Sequence, residues 1–499
     1  MSSRTIAYAT LLALVLPVVT TACGDDPDPV RSSMVDAADF VSDVSDWSTT
    51  IEWSKCESGS ECGTFTVPFD YADPALGTFT LPVARHLATN PDSRVGVLLI
   101  NPGGPGGSGV DFAIDAELWA STDLLEHFDI VGWDPRGVGG SRPAIDCVDT
   151  MYDYFALDPS PDDDVEAHQL LDGAERFAHQ CDERSGPILP YVDTVRSAAD
   201  IDVLRRAMGD DEVSYLGFSY GTALGATWIS LFPQSVRAAV LDGTVDLTLG
   251  YIDNLVTQAA GFETSLNAYL DYCDAGRCLF MKSDETARTT FDRINRALDT
   301  NPLDNGDGLP ATNQGVLSTA VAVSLYGDFS WSGLTEALAA ADLGDGRQLL
   351  LLFDSYFGIR DGVPDDSIDA YFGVTCADRG ENLDVASVLA SDERLRLVAP
   401  RLGSAWIQEM LICANWPLPP APSITIGADT ATRTVVVGST GDAATPLSGS
   451  VNMVRQLGDA RLVTSNVEQH TSYGADGCVT RAVDEYLLTL VDGPDVVKC

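Results

Sequence analysis

Short apolar runs recur along the chain and predict the strands of a sheet. Between residues 51 and 85 apolar and polar positions alternate, which is typical of antiparallel edge strands, and such strands tolerate Pro68 and Pro82. The run at residues 95–100 is continuously apolar, which is typical of a strand that is buried on both faces, and residues 128–133 predict a second buried strand. Further strands are predicted at residues 213–216, 236–243, 432–438 and 460–465.

The strands alternate with helical segments, which predicts an α/β class with a mostly parallel, doubly wound sheet. From residue 251 to 424 the apolar residues keep a helical spacing and no strand intervenes. We therefore expect a helical cap inserted between two sheet strands. Trp331, Tyr356 and Phe357 are candidates for lining a substrate pocket there, although their periodicity favours the helix core.

Length and charge narrow the class of protein. With 499 residues and 45% hydrophobic content, the chain can bury a large core, in several domains or in one domain with a large insertion. Asp and Glu number 74 against 29 Lys and Arg, which gives a formal net charge of -45. Such a surface repels phosphate backbones, so nucleic acid is not an expected partner. We interpret the acidity as solvation of the surface rather than as a cation site.

Residues 1–22 predict an export signal, because Arg4 precedes a short apolar stretch and a processing site of small residues. The stretch is too short to cross a bilayer comfortably. Cys23 then resembles the lipidated cysteine of a bacterial lipobox, but Thr20 stands where Leu is commonest, so plain secretion is the alternative. Residues 23–50 predict an acidic tether. We expect an exported monomer that meets a membrane only through a lipid anchor.

The cysteines fit an oxidising compartment. There are eleven in all, and setting the candidate lipidation site aside leaves an even ten. Their placement suggests local disulfides, although spacing does not determine connectivity and free buried thiols are the alternative. No metal site is expected, because no histidine lies near them. The suggested pairs are Cys56 with Cys62, Cys147 with Cys181, Cys273 with Cys278, Cys376 with Cys413, and Cys478 with Cys499.

A Gly-x-Ser-x-Gly motif, residues 217–221, joins one buried strand to a helix of small residues. Gly217 and Gly221 allow neighbouring segments to approach closely, and the tight turn exposes the Ser219 hydroxyl at the carboxyl edge of the sheet. Gly-rich turns with a serine also occur in ordinary loops, so the motif alone is weak. Between a strand and a helix it predicts a nucleophile elbow.

A second glycine-rich loop, residues 101–109, follows the first buried strand. Its five glycines allow backbone N–H groups to point at an anion. A phosphate loop is the competing interpretation, but the Gly-Lys-Ser/Thr ending is missing. We predict an oxyanion hole made by the N–H groups of Gly104 and Tyr220. Asp134 and Arg136, after the next strand, are expected to form an internal ion pair and turn rather than to catalyse.

Together these pieces resemble α/β-hydrolases of the peptidase S33 group, close to secreted tripeptidyl aminopeptidases and carboxylesterase-like proteases of actinobacteria. The resemblance implies a hydrolase core at residues 51–250 and 425–499, the second part similar to the tripeptidyl aminopeptidase C-terminal domain, around the cap at 251–424. The segments that carry the resemblance are residues 53–62, 67–71, 101–109, 134–137, 217–221, 241–243, 376–378 and 413–417.

Asp442 and His470 follow late strands and complete a candidate triad in the order Ser, Asp, His that this fold requires. Asp242, also at a strand end, is the competing acid, but in the resembling family that position leads into the cap. His470 is the only one of five histidines after the last strand, although Thr471 stands where that family often has glycine. Thr445 is a candidate support for the acid loop, or a simple turn residue.

These roles predict acyl transfer without a metal or organic cofactor: His470 takes the Ser219 proton, and Asp442 orients the imidazole. We expect a serine hydrolase of the tripeptidyl or prolyl aminopeptidase type that acts on peptide or ester substrates and releases tripeptides or shorter units. The alternatives are a carboxylesterase on the same triad and a non-catalytic peptide-binding lipoprotein. Asp378 and Glu381 are candidates for binding the substrate amine, with ordinary surface charge as the alternative.

Overall fold

A computed structural model describes residues 34–278, 280, 284–306, 308–381, 383–427, 430–491 and 493–499. The predicted export signal and Cys23 lie outside the described residues.

The strands form one mixed sheet in the order β1-β2-β3-β5-β4-β6-β7-β8-β9-β10. The first three strands run antiparallel, and β3 pairs antiparallel with β5. All later neighbours are parallel. The strand bounds are β1 Ser54–Lys55, β2 Glu61–Pro68, β3 Thr78–His86, β4 Gly96–Asn101, β5 Phe128–Trp133, β6 Val213–Phe218, β7 Val236–Asp242, β8 Thr434–Ser439, β9 Ala460–Ser465 and β10 Val496–Lys498.

The helices outside the predicted cap flank the sheet or its connections. Their bounds are α1 Ala37–Asp46, α2 Gly109–Ile114, α3 Ala116–Trp119, α4 Thr122–His127, α5 Tyr152–Phe155, α6 Asp164–Ser185, α7 Thr194–Met208, α8 Tyr220–Leu231, α18 Leu447–Leu457 and α19 Gly477–Thr489. The helices between β7 and β8 occupy the predicted cap range. They are α9 Tyr251–Tyr272, α10 Ala287–Thr300, α11 Gln314–Ser324, α12 Trp331–Asp342, α13 Arg347–Tyr356, α14 Ser367–Ala377, α15 Val385–Ala390, α16 Asp392–Val398 and α17 Gly403–Ala414.

The central strands bury both of their faces, as their continuous apolar runs predict. In β4, Leu98 and Ile100 pack into one apolar cluster with α2 and α19, whereas Leu99 packs into the other with α7 and α8. Successive side chains of a strand point to opposite faces, so a strand covered by helices on both sides must be apolar throughout. The mostly parallel α/β class is therefore confirmed.

The connection between β5 and β6 contains helices that pack against the cap, and this packing was not predicted. Its α5 exchanges two hydrogen bonds with α17, from Tyr154 Oη to the Gln408 carbonyl at 2.6 Å and from Gln408 Nε2 to the Tyr154 carbonyl at 2.6 Å. The Cys147 N–H donates to Asp369 of α14 at 2.8 Å. The helical layer that includes the cap is thus built from two separate segments of the chain, one between β5 and β6 and one between β7 and β8.

Residues 34–50, the end of the predicted tether, belong to the folded domain. The sequence of α1 is amphipathic: Val44 is fully buried, and Phe40 and Val41 pack on the same core. Trp47 Nε1 donates to the Thr66 carbonyl at 2.8 Å. The acidic composition of the segment hid this apolar stripe, so the tether does not include residues 34–50, contrary to the prediction.

The ten cysteines of the folded part are joined in pairs: Cys56–Cys62, Cys147–Cys181, Cys273–Cys278, Cys376–Cys413 and Cys478–Cys499. These are the pairs that the placement along the chain suggested. Among the described residues, the helices are all too short or too polar to cross a bilayer.

Candidate active site

Ser219 occupies the turn between β6 and α8 with φ 55° and ψ -124°, in a region that non-glycine residues rarely adopt. Holding a serine there costs about 1–3 kcal/mol, which the packed strand and helix must offset. The two glycines permit the close approaches around it. A Cβ on Gly217 would lie 2.4 Å from the Gly221 carbonyl oxygen, and one on Gly221 would lie 2.7 Å from the carbonyl oxygen of Asn101. The structure is the predicted nucleophile elbow.

His470 and Asp442 form a hydrogen-bonded pair. His470 Nδ1 lies 2.9 Å and 3.0 Å from the two Asp442 carboxylate oxygens, and the Asp442 side chain is fully buried. A carboxylate only accepts, so the imidazole donates from Nδ1 and leaves Nε2 to accept a proton. Nε2 is buried without a hydrogen-bond partner among the described residues.

The acid is held by a dense set of donors. Thr445 gives its N–H to one oxygen at 2.8 Å and its hydroxyl to the other at 2.9 Å, and the N–H groups of Ala444 and Thr471 add bonds of 3.0 and 3.2 Å. Thr445 therefore supports the acid loop, beyond a simple turn. Burial alone would lower the pKa of His470, but the charge and hydrogen bond of Asp442 outweigh it and raise that pKa.

Asp242 links the elbow to the histidine loop. Its backbone carbonyl accepts the Ser219 N–H at 2.9 Å, and its carboxylate accepts the N–H groups of Ser472 at 2.9 Å and Tyr473 at 2.7 Å. Burial raises the pKa of Asp242 to about 6, although these two backbone donors oppose the shift. It contacts backbone rather than the imidazole, which agrees with choosing Asp442 as the acid.

The glycine-rich loop passes directly over the elbow. A Cβ on Gly103 would lie 2.4 Å from the Phe218 carbonyl oxygen and 2.8 Å from the Ser219 Cβ. The Gly103 N–H donates to Asn101 Oδ1 at 3.0 Å, which fixes the loop. Gly104 and Tyr220 both line the cavity beside Ser219. Tyr220 begins α8, so its N–H has no acceptor within the helix. This placement suits the predicted oxyanion hole.

Asp134 and Arg136 do not form the predicted ion pair with each other. Arg136 is fully buried and makes a bidentate pair with Asp200, at 2.6 and 2.7 Å. Asp134 instead accepts the Ser108 hydroxyl at 2.7 Å and the Val110 N–H at 3.1 Å. It therefore anchors the end of the glycine-rich loop, which is the shaping role expected of the pair.

A cavity of about 490 Å³ lies between the elbow and the cap. Ser219, Gly104 and Tyr220 line it on the sheet side, and Asp378, Arg379, Glu381 and Glu409 line it from the cap. Of the three aromatic candidates, Tyr356 lines this cavity, Phe357 lines a smaller chamber of about 80 Å³, and Trp331 packs in the helix core against Tyr269. The pocket-lining alternative therefore holds for Tyr356, whereas Trp331 lies in the helix core that its periodicity favours.

Asp378 faces the cavity but is held by Thr194. One oxygen accepts the Thr194 N–H at 3.1 Å, and the other accepts its hydroxyl at 2.5 Å. The same hydroxyl lies 2.5 Å from the Tyr220 phenol, so a hydrogen-bonded chain runs from the acid to the residue after the nucleophile. Burial, then the charge of Asp193, raises the pKa of Asp378 to about 7. Asp378 thus positions Tyr220.

Glu381 and Glu409 are the other two carboxylates that line the cavity from the cap, and Asp246, after β7, is a further acid in its lining. Glu381 is half-buried on the cap wall beside Gly250. Glu409, on α17, was missed by the sequence reasoning, since a glutamate within a helical pattern gives no sign of facing a cavity. Burial raises the pKa of Glu409 to about 7, although the Tyr371 hydroxyl donates to it. The cavity is therefore acidic on its cap side.

The remaining histidines have partners elsewhere. His86 Nε2 lies 3.5 Å from Glu117, and His179 Nδ1 lies 3.5 Å from Glu183 on the same helix. His127 and His168 contact the backbone carbonyls of the residues four positions before them. His470 is the histidine that the structure pairs with Asp442.

Comparisons with known proteins agree with this geometry. Residues 96–473 match the family described as alpha/beta hydrolase fold. The chain is 33% identical over 474 residues to the serine protease Hip1 of Mycobacterium tuberculosis, across 90% of this chain and 91% of that protein. It is 34% identical over 520 residues to carboxylesterase B of the same species, across 100% and 98%. It is 32% identical over 471 residues to the tripeptidyl aminopeptidase of Streptomyces lividans, across 88% and 84%.

Proposed function

Because the chain belongs to the α/β-hydrolase fold family, we propose that it is an exported serine hydrolase that removes tripeptides or shorter units from free peptide N-termini. The observation that carries the proposal is the buried His470–Asp442 pair, tied through Asp242 to the strained elbow that presents Ser219. The relatives named serine protease and tripeptidyl aminopeptidase support peptides as the substrate class.

The reaction follows from the placement of these groups. His470 Nε2 accepts the Ser219 proton as the hydroxyl oxygen attacks the acyl carbonyl, and later donates it to the leaving amine. Asp442 holds the imidazole through Nδ1 and stabilises the imidazolium that forms. The N–H groups of Gly104 and Tyr220 bind the oxyanion, each contributing about 3 kcal/mol. Water, activated by the same histidine, then releases the acyl group.

Preference for a free N-terminus is supported by the cap side of the cavity. Asp378, Glu381 and Glu409 place carboxylates there, with Arg379 as the one basic residue among the cavity-lining residues that the structure describes. A recessed cavity with an excess of negative charge favours a substrate that brings its own positive charge, such as an α-ammonium group. The sequence predicts Asp378 or Glu381 as the amine ligand, and Glu409 is a third cap-side carboxylate in the same cavity.

The proposal that the protein is exported is supported by its disulfides. Five disulfides in one chain favour an oxidising compartment, where such bonds persist. A lipid on Cys23 and a monomeric state remain part of the proposal, together with the expectation that nucleic acid is not a partner.

A carboxylesterase is the second candidate function. The relative named carboxylesterase B matches the whole chain, and a triad does not by itself choose between an amide and an ester. A peptide-binding lipoprotein without turnover is disfavoured, because a strained elbow and a paired histidine have no use in binding alone.

The test is a comparison of three substrates: a tripeptide p-nitroanilide with a free amino group, its N-acetyl counterpart, and a short p-nitrophenyl ester. We expect the highest kcat/KM on the free peptide, and mass spectrometry of longer peptides should find units of three residues or fewer. Equal rates on the two peptides, with faster turnover of the ester, would favour the carboxylesterase.

A further inference from the structure

Glu409 lies where the catalytic cavity meets the smaller inner chamber. The same five residues line both spaces: Gln258, Tyr326, Tyr356, Tyr371 and Glu409. Tyr326 connects this point to the triad, because its ring packs edge-on against His470 at 5.4 Å and its carbonyl accepts the His470 N–H at 2.8 Å. Glu409 is therefore recessed into the cap on the histidine side of the cavity.

The carboxylate of Glu409 has no ion-pair partner among the described residues, and the Tyr371 hydroxyl is the donor that the structure gives it. A carboxylate can accept about four hydrogen bonds, so most of its capacity is free. Leaving a recessed charge without a counter-charge is costly unless a ligand supplies one. This distinguishes Glu409 from Asp378, whose two oxygens are both held by Thr194.

Aromatic rings surround the same carboxylate. Burial raises the pKa of Tyr251, Tyr326, Tyr356 and Tyr371, and the charge of Glu409 adds to that effect in each. All four tyrosines line the catalytic cavity. An aromatic ring attracts a cation that lies over its face, and a phenol hydroxyl can accept a hydrogen bond from one. This part of the cavity therefore offers an ammonium group a carboxylate together with tyrosine side chains.

We propose that Glu409 is the specificity-determining residue of this cavity and binds the α-ammonium group of an unblocked peptide. The inference rests on the proposed aminopeptidase function and selects Glu409 over the other three acids that line the cavity. Asp246 is held by hydrogen bonds from Thr248 and Asn452. Asp378 positions Tyr220 through Thr194, and Glu381 lies on the cap wall beside Gly250. The first side chain of the peptide would then lie against the inner chamber, whose walls include Phe155, Phe262 and Phe357.

The experiment compares kcat/KM on a free tripeptide p-nitroanilide and on its N-acetyl counterpart, per active site titrated with a fluorophosphonate. Glu409→Gln keeps the shape and removes the charge, and Glu409→Leu is a second neutral replacement suited to an apolar chamber. Glu393→Gln, an exposed cap glutamate, is the matched control. Hydrogen bonds between charged groups correspond to about 10- to 100-fold in binding, so the preference for the free amine should fall by that factor in both Glu409 variants.

The control should keep the wild-type preference, and Glu381→Gln should keep it as well. Glu409→Gln should also melt no lower than the wild type, because it removes a recessed charge without a counter-charge and its amide oxygen can still accept from the Tyr371 hydroxyl. A Glu409→Gln enzyme that retains the preference, or a Glu381→Gln or Asp378→Asn enzyme that loses it instead, would overturn the assignment of Glu409 and leave the aminopeptidase proposal standing. A wild-type enzyme without any preference would overturn both.

Discussion

Replacing Gly103 by alanine should impair catalysis while leaving substrate binding nearly unchanged. Gly103 has φ 97° and crosses the elbow where a Cβ would lie 2.4 Å from the Phe218 carbonyl oxygen and 2.8 Å from the Ser219 Cβ. Real Cβ atoms essentially never come closer than 3.0 Å to such atoms, so the loop or the elbow must move by 0.6 Å or more, the difference between 3.0 and 2.4 Å.

The magnitude follows from what that movement disturbs. The nearest atom is a backbone oxygen of the elbow, and the Ser219 Cβ is bonded directly to the backbone, so neither can rotate away as the end of a long side chain can. The displaced loop carries the Gly104 N–H, and loss of one oxyanion donor costs about 10²- to 10³-fold in kcat. A displacement near 1 Å alone can cost about 10²-fold. We therefore expect kcat to fall about 100-fold and KM to change little, with about 1–2 kcal/mol lost in stability from the left-handed backbone.

Steady-state hydrolysis of a p-nitrophenyl ester, per titrated active site, measures the effect. Gly96→Ala is the matched control, because it lies at the start of β4 and a Cβ there meets no heavy atom within 4 Å. That control should stay close to the wild-type kcat. A Gly103→Ala enzyme with wild-type kcat would refute the position of the oxyanion loop, and a rise in KM alone would show that the loop acts in binding.

Three further predictions concern the pKa of the base, the histidine loop and the disulfides. Asp442 raises the pKa of His470, and only neutral imidazole accepts the serine proton, so kcat/KM should fall as pH drops through a midpoint above the ordinary 6.5. Asp442→Asn should lower that midpoint and should reduce kcat about 10⁴-fold. A midpoint that does not move in the variant would contradict the pairing of His470 with Asp442. Thr471→Gly should raise the free energy of unfolding by about 1 kcal/mol in urea titrations, since Thr471 is β-branched at φ 66°, and a lower stability would argue against that backbone conformation. Reduction of the protein, or the double variant Cys147→Ser and Cys181→Ser, should lower Tm, because the Cys147–Cys181 disulfide contributes about 2–4 kcal/mol to stability. Free thiols at all ten positions in the oxidised protein would contradict the disulfide pairing.

Local patterns were enough to predict the candidate catalytic groups that the structure places at one edge of the sheet. Ser219, Asp442 and His470 each follow an apolar run, and parallel strands bring their carboxyl ends to one edge of the sheet. Order along the chain fits both Asp442 and Asp242, and the family resemblance favours Asp442 because in that family the position of Asp242 leads into the cap; the hydrogen bonds from His470 to Asp442 agree with this choice. The structure adds that the rejected acid still matters, because Asp242 holds the histidine loop through backbone groups. Such a role leaves no mark in the spacing of residues.

Partners that are distant along the chain could not be predicted. Arg136 pairs with Asp200, 64 positions away on α7, although Asp134 is its neighbour in sequence. Long-range pairing is decided by how the helices pack on the sheet, and the sequence offers 74 acidic residues from which to choose. The same difficulty hid Glu409, because a helical pattern shows which face is apolar and does not show which polar residue meets a cavity.

Labelling of the intact protein with a fluorophosphonate, followed by peptide mapping, tests the central claim most directly. We expect one adduct on Ser219, formed rapidly by the wild type and by a His168→Ala control, and slowed by several orders of magnitude in His470→Ala because the base is lost. An adduct on another residue, or equal labelling of the wild type and His470→Ala, would contradict the assignment of Ser219 and His470 as nucleophile and base.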